Sequence, residues 1–220
     1  MQQFVSFLLA GISFFLGLFS VRVPEKIVWD KADAIAIYQE IAAKNAGLAL
    51  QERTTVDKVD FGIPTSLGDY SSQLFSALQS GAWVGRKGLP GQPAKITADD
   101  LASAKVLWYD GGDTVEITLT PKNQTTDITG KAADGSVGKS IGVKEVSVFT
   151  GALKTIGFSL NGLFTVTYQN PKIVIVAGAD GKIRQATYSY DTAASGGTFK
   201  LALLTVSLIT ITGHYEAKLA

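Results

Sequence analysis

Cysteine is absent from the 220 residues, and histidine occurs once, at position 214. Without thiols the chain has no disulfide, no thiolate metal site, no cysteine nucleophile and no iron–sulfur ligation. A single imidazole rules out a paired-histidine metal centre. Charge of either sign is also missing as an excess: 20 Lys+Arg stand against 19 Asp+Glu. So balanced a chain carries no electrostatic footprint for nucleic acid. Glycine and proline number 23 and 6, well short of low-complexity composition. The Asp residues are scattered without the spacing of a calcium loop. No cofactor-binding or metal-ligating set is readable. What remains is a chain with 46% apolar residues, long enough for a substantial core.

Residues 1–21 contain no charged side chain. The run from Phe4 to Phe19 is apolar all round, so as a helix it has no face to offer water. At about 1.5 Å per residue, residues 2–21 would span roughly 30 Å, the thickness of a hydrocarbon core. A cleaved signal peptide needs a basic start and small residues before the cut. Met1-Gln2-Gln3 has no basic residue, and Leu18-Phe19-Ser20 puts a large residue at −3. An uncleaved transmembrane anchor over 1–23 is the reading taken. A signal-like segment and a buried helix stay open beside it. Arg22, Lys26 and Lys31 follow the run and nothing basic precedes it, which by the positive-inside bias points to a cytoplasmic C-terminal side. The Thr-rich, cysteine-free remainder points the other way, and the globular part is expected outside the cytoplasm. Trp29 follows soon enough to sit at the headgroup level.

A single α+β domain is expected over 27–220. Ala34, Ile37, Tyr38 and Ile41 recur at helical spacing, with Asp30 or Asp33 as the cap and Gly47 as the stop. Residues 48–61 are compatible with a strand. A second helix is expected from Ser66 to Gly81, a Gly/Pro loop over 85–93, and a short helical start at Thr97–Asp100. From Lys105 the period changes to two. Val106–Tyr109, a turn at Asp110–Asp113, and Val115, Ile117 and Leu119 make a hairpin with one wet face. Residues 121–139 read as a loop or poorly paired edge, and 146–157 as a third helix. The last 60 residues read as a meander: Phe164–Tyr168, a break at Asn170-Pro171, Ile173–Val176, a tight turn at Asp180-Gly181, then Ala186–Tyr190. Residues 191–198 read as a turn, and Phe199–Thr212 as one long strand whose changes of phase imply bulges. The expected fold is a curved antiparallel sheet of about five to seven strands packed on two or three helices.

Gly138-Lys139-Ser140 has the ending of a phosphate loop, with Asp180 mimicking the second nucleotide motif. Such a loop must follow a buried parallel strand, and 123–131 is polar. Gly138-Lys139-Ser140-Ile141-Gly142 also has the form of a nucleophile elbow, with His214 as the sole candidate base and Asp180 or Asp191 in the order Ser…Asp…His. The elbow lacks its apolar strand too, so Ser140 and His214 are a secondary reading and no catalytic set is assigned. Trp29, Trp83, Trp108 and Tyr109 could form an aromatic platform, although packing is the usual role of such residues. Arg86-Lys87 reads as a solvated tip, and Asn123-Gln124-Thr125 as a glycosylation sequon in form only.

The helix ending near Lys44, the segment Ile96-Thr97-Ala98-Asp99-Asp100-Leu101-Ala102-Ser103-Ala104-Lys105, Glu116-Ile117-Thr118-Leu119, Gly130-Lys131-Ala132 and the Thr-rich meander together resemble uncharacterised secreted or membrane-anchored proteins of clostridial-type Gram-positive bacteria. That group carries no assigned activity, so the resemblance implies a location outside the cytoplasm and a non-catalytic role. The first expectation is a membrane-tethered surface domain without enzymatic activity, its concave sheet face holding an apolar or lipid-like molecule. The alternatives are a serine hydrolase using Ser140 and His214, and a structural or assembly protein of the cell surface. The expected partner of residues 2–21 is membrane lipid. The full chain should therefore partition into the detergent phase in a two-phase extraction. Uncut chain recovered from water without surfactant would overturn the anchor.

Overall fold

The computed structural model describes residues 23–60, 80–127, 130–143, 159–201 and 204–220, with isolated positions 72, 76, 78, 151 and 154; for 159–163, 197–201 and 204–209 it gives the backbone path alone. The anchor segment and most of the helices expected at 66–81 and 146–157 lie outside these residues. Among the described residues no helix is long and apolar enough to cross a membrane.

Nine antiparallel strands form one open sheet, more than the five to seven expected. They are β1 (Lys26–Val28), β2 (Ala49–Asp60), β3 (Val84–Lys87), β4 (Leu101–Tyr109), β5 (Thr114–Pro121), β6 (Gln124–Asp127), β7 (Ser159–Gly178), β8 (Ile183–Leu201) and β9 (Leu204–Leu219). Their order is β1-β4-β5-β7-β8-β9-β2-β3, with β6 pairing β7 beside β5. Two helices, α1 (Lys31–Lys44) and α2 (Ser136–Ser140), are described. Both lie on the sheet face that carries the core. That face holds Ile117, Leu119, Phe164, Val166, Tyr168, Ile173, Ile175 and Tyr188, all fully buried.

The period-two expectation for Val115, Ile117 and Leu119 holds, because these residues are buried while Glu116 and Thr118 are half-buried on the other face. In β7 the buried parity switches from even (Phe164, Val166, Tyr168) to odd (Ile173, Ile175, Ala177). A register shift between Gln169 and Lys172 inserts one extra residue, so both stretches face the core. Asn170-Pro171 is thus a bulge inside one strand and not a break. It falls where β7 changes partner from β6, which pairs 165–168, to β5, which pairs 173–178. Proline has no N–H to give a ladder, and here the ladder asks for none. Asn170 adopts φ 50° and donates its N–H to Asn123 Oδ1 at 3.1 Å.

Three expectations for the C-terminal part change. Residues 191–198 are not a turn, because β8 runs through them with β7 and β9 on its two sides. Phe199–Thr212 is not one strand: Leu201 of β8 pairs Leu204 of β9, so the change of phase there marks a chain reversal. Residues 124–127, expected as loop or poorly paired edge, form a four-residue strand that pairs β7 alone, and the rest of 121–139 holds the end of β5, a 3-10 turn and most of α2. The Asp180-Gly181 turn is as expected, with Gly181 at φ 75° and its N–H donating to Gly178 O at 2.9 Å.

Asp30 caps α1, accepting from the Ala32 and Asp33 N–H groups at 2.9 and 3.0 Å. Asn45, not Gly47, closes it. The buried Asn45 amide donates to Ile41 O at 2.7 Å and to Gly181 O at 2.8 Å, and its oxygen accepts from Ile183 N at 3.1 Å. One side chain therefore satisfies a helix end and a hairpin turn 136 residues away. The short helical start at Thr97 is a single 3-10 turn. There Asp100 accepts from the Thr97 N–H at 2.9 Å and from Lys139 Nζ at 3.0 Å, which ties the start of β4 to α2. Asn45→Ala would leave the buried Ile183 N–H, Gly181 C=O and Ile41 C=O without this partner. We expect a loss of about 2–3 kcal/mol in urea unfolding.

Candidate functional site

Helix α2 begins at Ser136, and Ser140 is its last residue. Gln124, buried on β6, organises the segment. Its oxygen accepts from Val137 N at 2.9 Å and Gly138 N at 3.0 Å, and its nitrogen donates to Ala132 O at 2.7 Å. The N–H groups that a phosphate loop would turn to a phosphate are thereby occupied. Gly138 is needed for close packing, since a Cβ there would collide with the backbone of Ala132 and Ala133. Asp180, the supposed second motif, accepts from Lys182 N at 3.0 Å within its own turn.

Ser140 Oγ is fully buried and donates to Ser136 O at 2.6 Å. His214 Nδ1 lies 2.7 Å from Asp191 Oδ1, and Asn170 Nδ2 donates to Asp191 Oδ2 at 2.9 Å. Asp191 and His214 are register partners on β8 and β9. Their neighbours Tyr190 and Tyr215 point into the core, so by strand alternation Asp191 and His214 point out of the opposite face. Ile141, next to Ser140, belongs to the core side with those tyrosines. The structure brings Asp191 to His214 and leaves Ser140 across the sheet from both.

The aromatic residues do not converge either. Trp108 takes Lys26 Nζ at 4.9 Å from its ring and Trp29 takes Lys105 Nζ at 5.6 Å, both at the β1–β4 end of the sheet. Trp83 sits at the other end, under Arg53 at 4.5 Å and Lys218 at 4.3 Å. Arg86 is not a loop tip. It lies on β3, and Arg86 Nη1 meets Glu52 Oε2 at 3.0 Å.

Two cavities do form on the helix-bearing face. The first, of about 370 Å³, lies between α1 and the Gly/Pro loop: Ala42, Ala43 and Ala46 face Leu89, Pro93 and Ala94. Ala42 and Ala43 in the last turn of α1 and Ala46 just past its end create the space, because no longer side chain fills it. Gln39 holds the far wall, donating from Nε2 to Pro93 O at 3.0 Å and to Ile96 O at 3.3 Å. The second, of about 280 Å³, lies across the same loop, lined by Glu52, Arg86, Tyr190, Tyr215, Gln92, Ile141 and their neighbours. Tyr215 Oη donates to Glu52 Oε2 at 2.9 Å, and the Tyr215 and Tyr190 rings stack with centroids 4.8 Å apart. Gln92 N donates to Lys139 O at 2.7 Å, fastening the loop to α2 between the two cavities. Gly91 allows this approach at φ 72°.

Burial pushes the Tyr38 hydroxyl up to about 12. It raises Tyr188, Tyr190 and Tyr215 as well, with the Glu52 carboxylate adding to the effect on Tyr215. These phenols stay neutral near pH 7; Tyr190 and Tyr215 line the second cavity, while the Tyr38 and Tyr188 hydroxyls are buried away from it. Among the described residues, no group of three or more His, Asp or Glu could hold a metal ion. Comparison with protein families, with known proteins and with solved structures returns no match.

Sequence reasoning missed both cavities. The alanines read as generic helix formers and Arg86 as a tip, since neither the loop's fold-back onto α2 nor the β2–β3 pairing leaves a periodic signal. The Asp191 carboxyl is held below the usual carboxylate range, chiefly by the Asn170 amide and then by His214. Its folded pKa being depressed, its contribution is present above the ordinary carboxylate pKa and is lost as pH falls through the folded value. Carboxyl NMR titration should show the Asp191 midpoint rising toward the ordinary value in Asn170→Ala, and rising again when His214→Ala is added.

Proposed function

We propose that the chain is a membrane-tethered, non-enzymatic domain that binds a small lipid-like molecule, its apolar part lying in the cleft between α1 and residues 88–94. The observation that carries this reading is the cleft itself. Its volume of about 370 Å³ falls in the range of small-molecule sites, and its walls are mainly Ala, Leu and Pro side chains, with Gly88 and the Gln39 amide completing them. The polar cavity across the loop gives the amphipathic case added support. Glu52 and Arg86 form an ion pair there, a polar counterpart to the apolar cleft on the same face. The apolar run at 4–19 supports the tether by length and composition.

Ala43 on α1 and Ala46 just past its end are exposed and line the cleft, so a bulky residue can be placed at either without disturbing the core. A fluorescent fatty acid such as dansylundecanoic acid should bind the wild-type protein with a blue-shifted emission. Ala43→Trp and Ala46→Trp should each weaken that binding tenfold or more, at an unchanged melting temperature. Binding that survives both substitutions, or is absent from the wild type, sinks the assignment.

A further inference from the structure

The described residues include four large hydrophobic side chains that stand out in solvent: Val23 at 76% exposure, Trp29 at 65%, Val84 at 46% and Ile27 at 45%. Three of the four fall within seven positions of one another, directly after the uncharged segment 1–21. Exposed apolar groups scattered singly need no explanation, whereas a cluster does.

We propose that this end of the sheet, β1 and the residues flanking it, rests on the headgroup layer of a phospholipid bilayer with Val23, Ile27 and Trp29 in the interface. The proposal rests on the reading of residues 2–21 as a membrane anchor and adds to it the face that the globular body turns to the lipid. Four residues, 22–25, separate the uncharged segment 1–21 from β1, a reach of at most about 14 Å. β1 is pinned to the body with no slack. Glu25 N donates to Trp108 O at 2.9 Å, Ile27 pairs Leu107, and Gly111 N donates to Glu25 Oε1 at 2.8 Å. An anchor ending at Val21 therefore brings β1 to the membrane surface whatever the rest of the chain does.

The side chains suit that position. Val28 packs on the core, and Ile27 and Trp29 leave the strand on the opposite side. Among the described residues β1 pairs only with β4 and ends the strand order. Lys105 over Trp29 pairs an amphipathic ring with a cation whose stem can lie along apolar surface, the combination favoured at a headgroup layer. Two of the nearby acids are engaged with backbone: Asp30 caps α1 and Glu25 accepts from Gly111. Arg22, Lys26, Lys31 and Lys105 stand against Glu25, Asp30 and Asp33, a margin of one charge. Apolar insertion and not anionic attraction is then the driving term, and docking should survive in neutral lipid.

The full chain carrying Trp83→Phe and Trp108→Phe keeps Trp29 as its sole tryptophan. Reconstituted in phosphatidylcholine vesicles, it should lose at least half its emission when the acyl chains are brominated near the headgroup. A chain keeping only Trp83 should lose none. Because the two replacements remove ring–cation contacts, a second measurement leaves them in place. The chain has no cysteine, so Trp29→Cys takes one environment-sensitive label. Its emission should shift to the blue on vesicles, and that of Val84→Cys should not. Vesicle flotation without quenching or shift at position 29 overturns the docking face and leaves the tether standing. A chain that does not float at all overturns both.

Discussion

Two buried amides hold the helices to the sheet, and much of the remaining architecture follows from them. A helix leaves unsatisfied N–H groups at its start and C=O groups at its end, and burying those ends without partners is costly. Asn45 takes the last turn of α1 and joins it to the β7–β8 turn. Gln124 takes the first turn of α2 from a strand twelve residues earlier. Neither helix could shift along the sheet without exposing these contacts. The cavities beside them inherit their walls from that fixed placement.

The central strands carry the second constraint. β7 and β8 pair each other along most of their length and each has further partners on its other side, and alternation then decides which side chains meet the helices. The bulge at Asn170-Pro171 keeps two out-of-phase apolar stretches on one face. The same alternation puts Asp191 and His214 on the face opposite Tyr190 and Tyr215. A residue one position away in sequence is thus a whole sheet away in space, and this separates Ser140 from His214.

The Gly/Pro loop sits where these constraints meet. Fastened to α2 through Gln92 and to α1 through Gln39, it divides one concavity into an apolar cleft and a polar one. The two differ in chemistry because they face different elements, an alanine-lined helix on one side and the Glu52–Arg86 pair of β2 and β3 on the other. The proposed lipid-like ligand uses that contrast. The proposed interface at β1 lies at the far end of the strand order from β3 and makes a separate demand on the chain.

Local chemistry made several elements readable from the residues. Asp30 followed by apolar residues at helical spacing specifies α1, alternation specifies β5, and Asp-Gly specifies the β7–β8 turn, because each signal acts within a few bonds. The form of the Gly-Lys-Ser segment was also visibly without its strand. Partners distant in the chain decided the rest. Residues 191–198 have the composition of a turn, yet two flanking strands draw them into a ladder. β6 has little apolar content and exists because β7 offers it an edge. The role of Arg86, the helix stop at Asn45 and the space left by Ala42, Ala43 and Ala46 depend on groups 34 or more positions away in the chain, and hydrogen bonds and voids formed across such separations leave no periodicity along it.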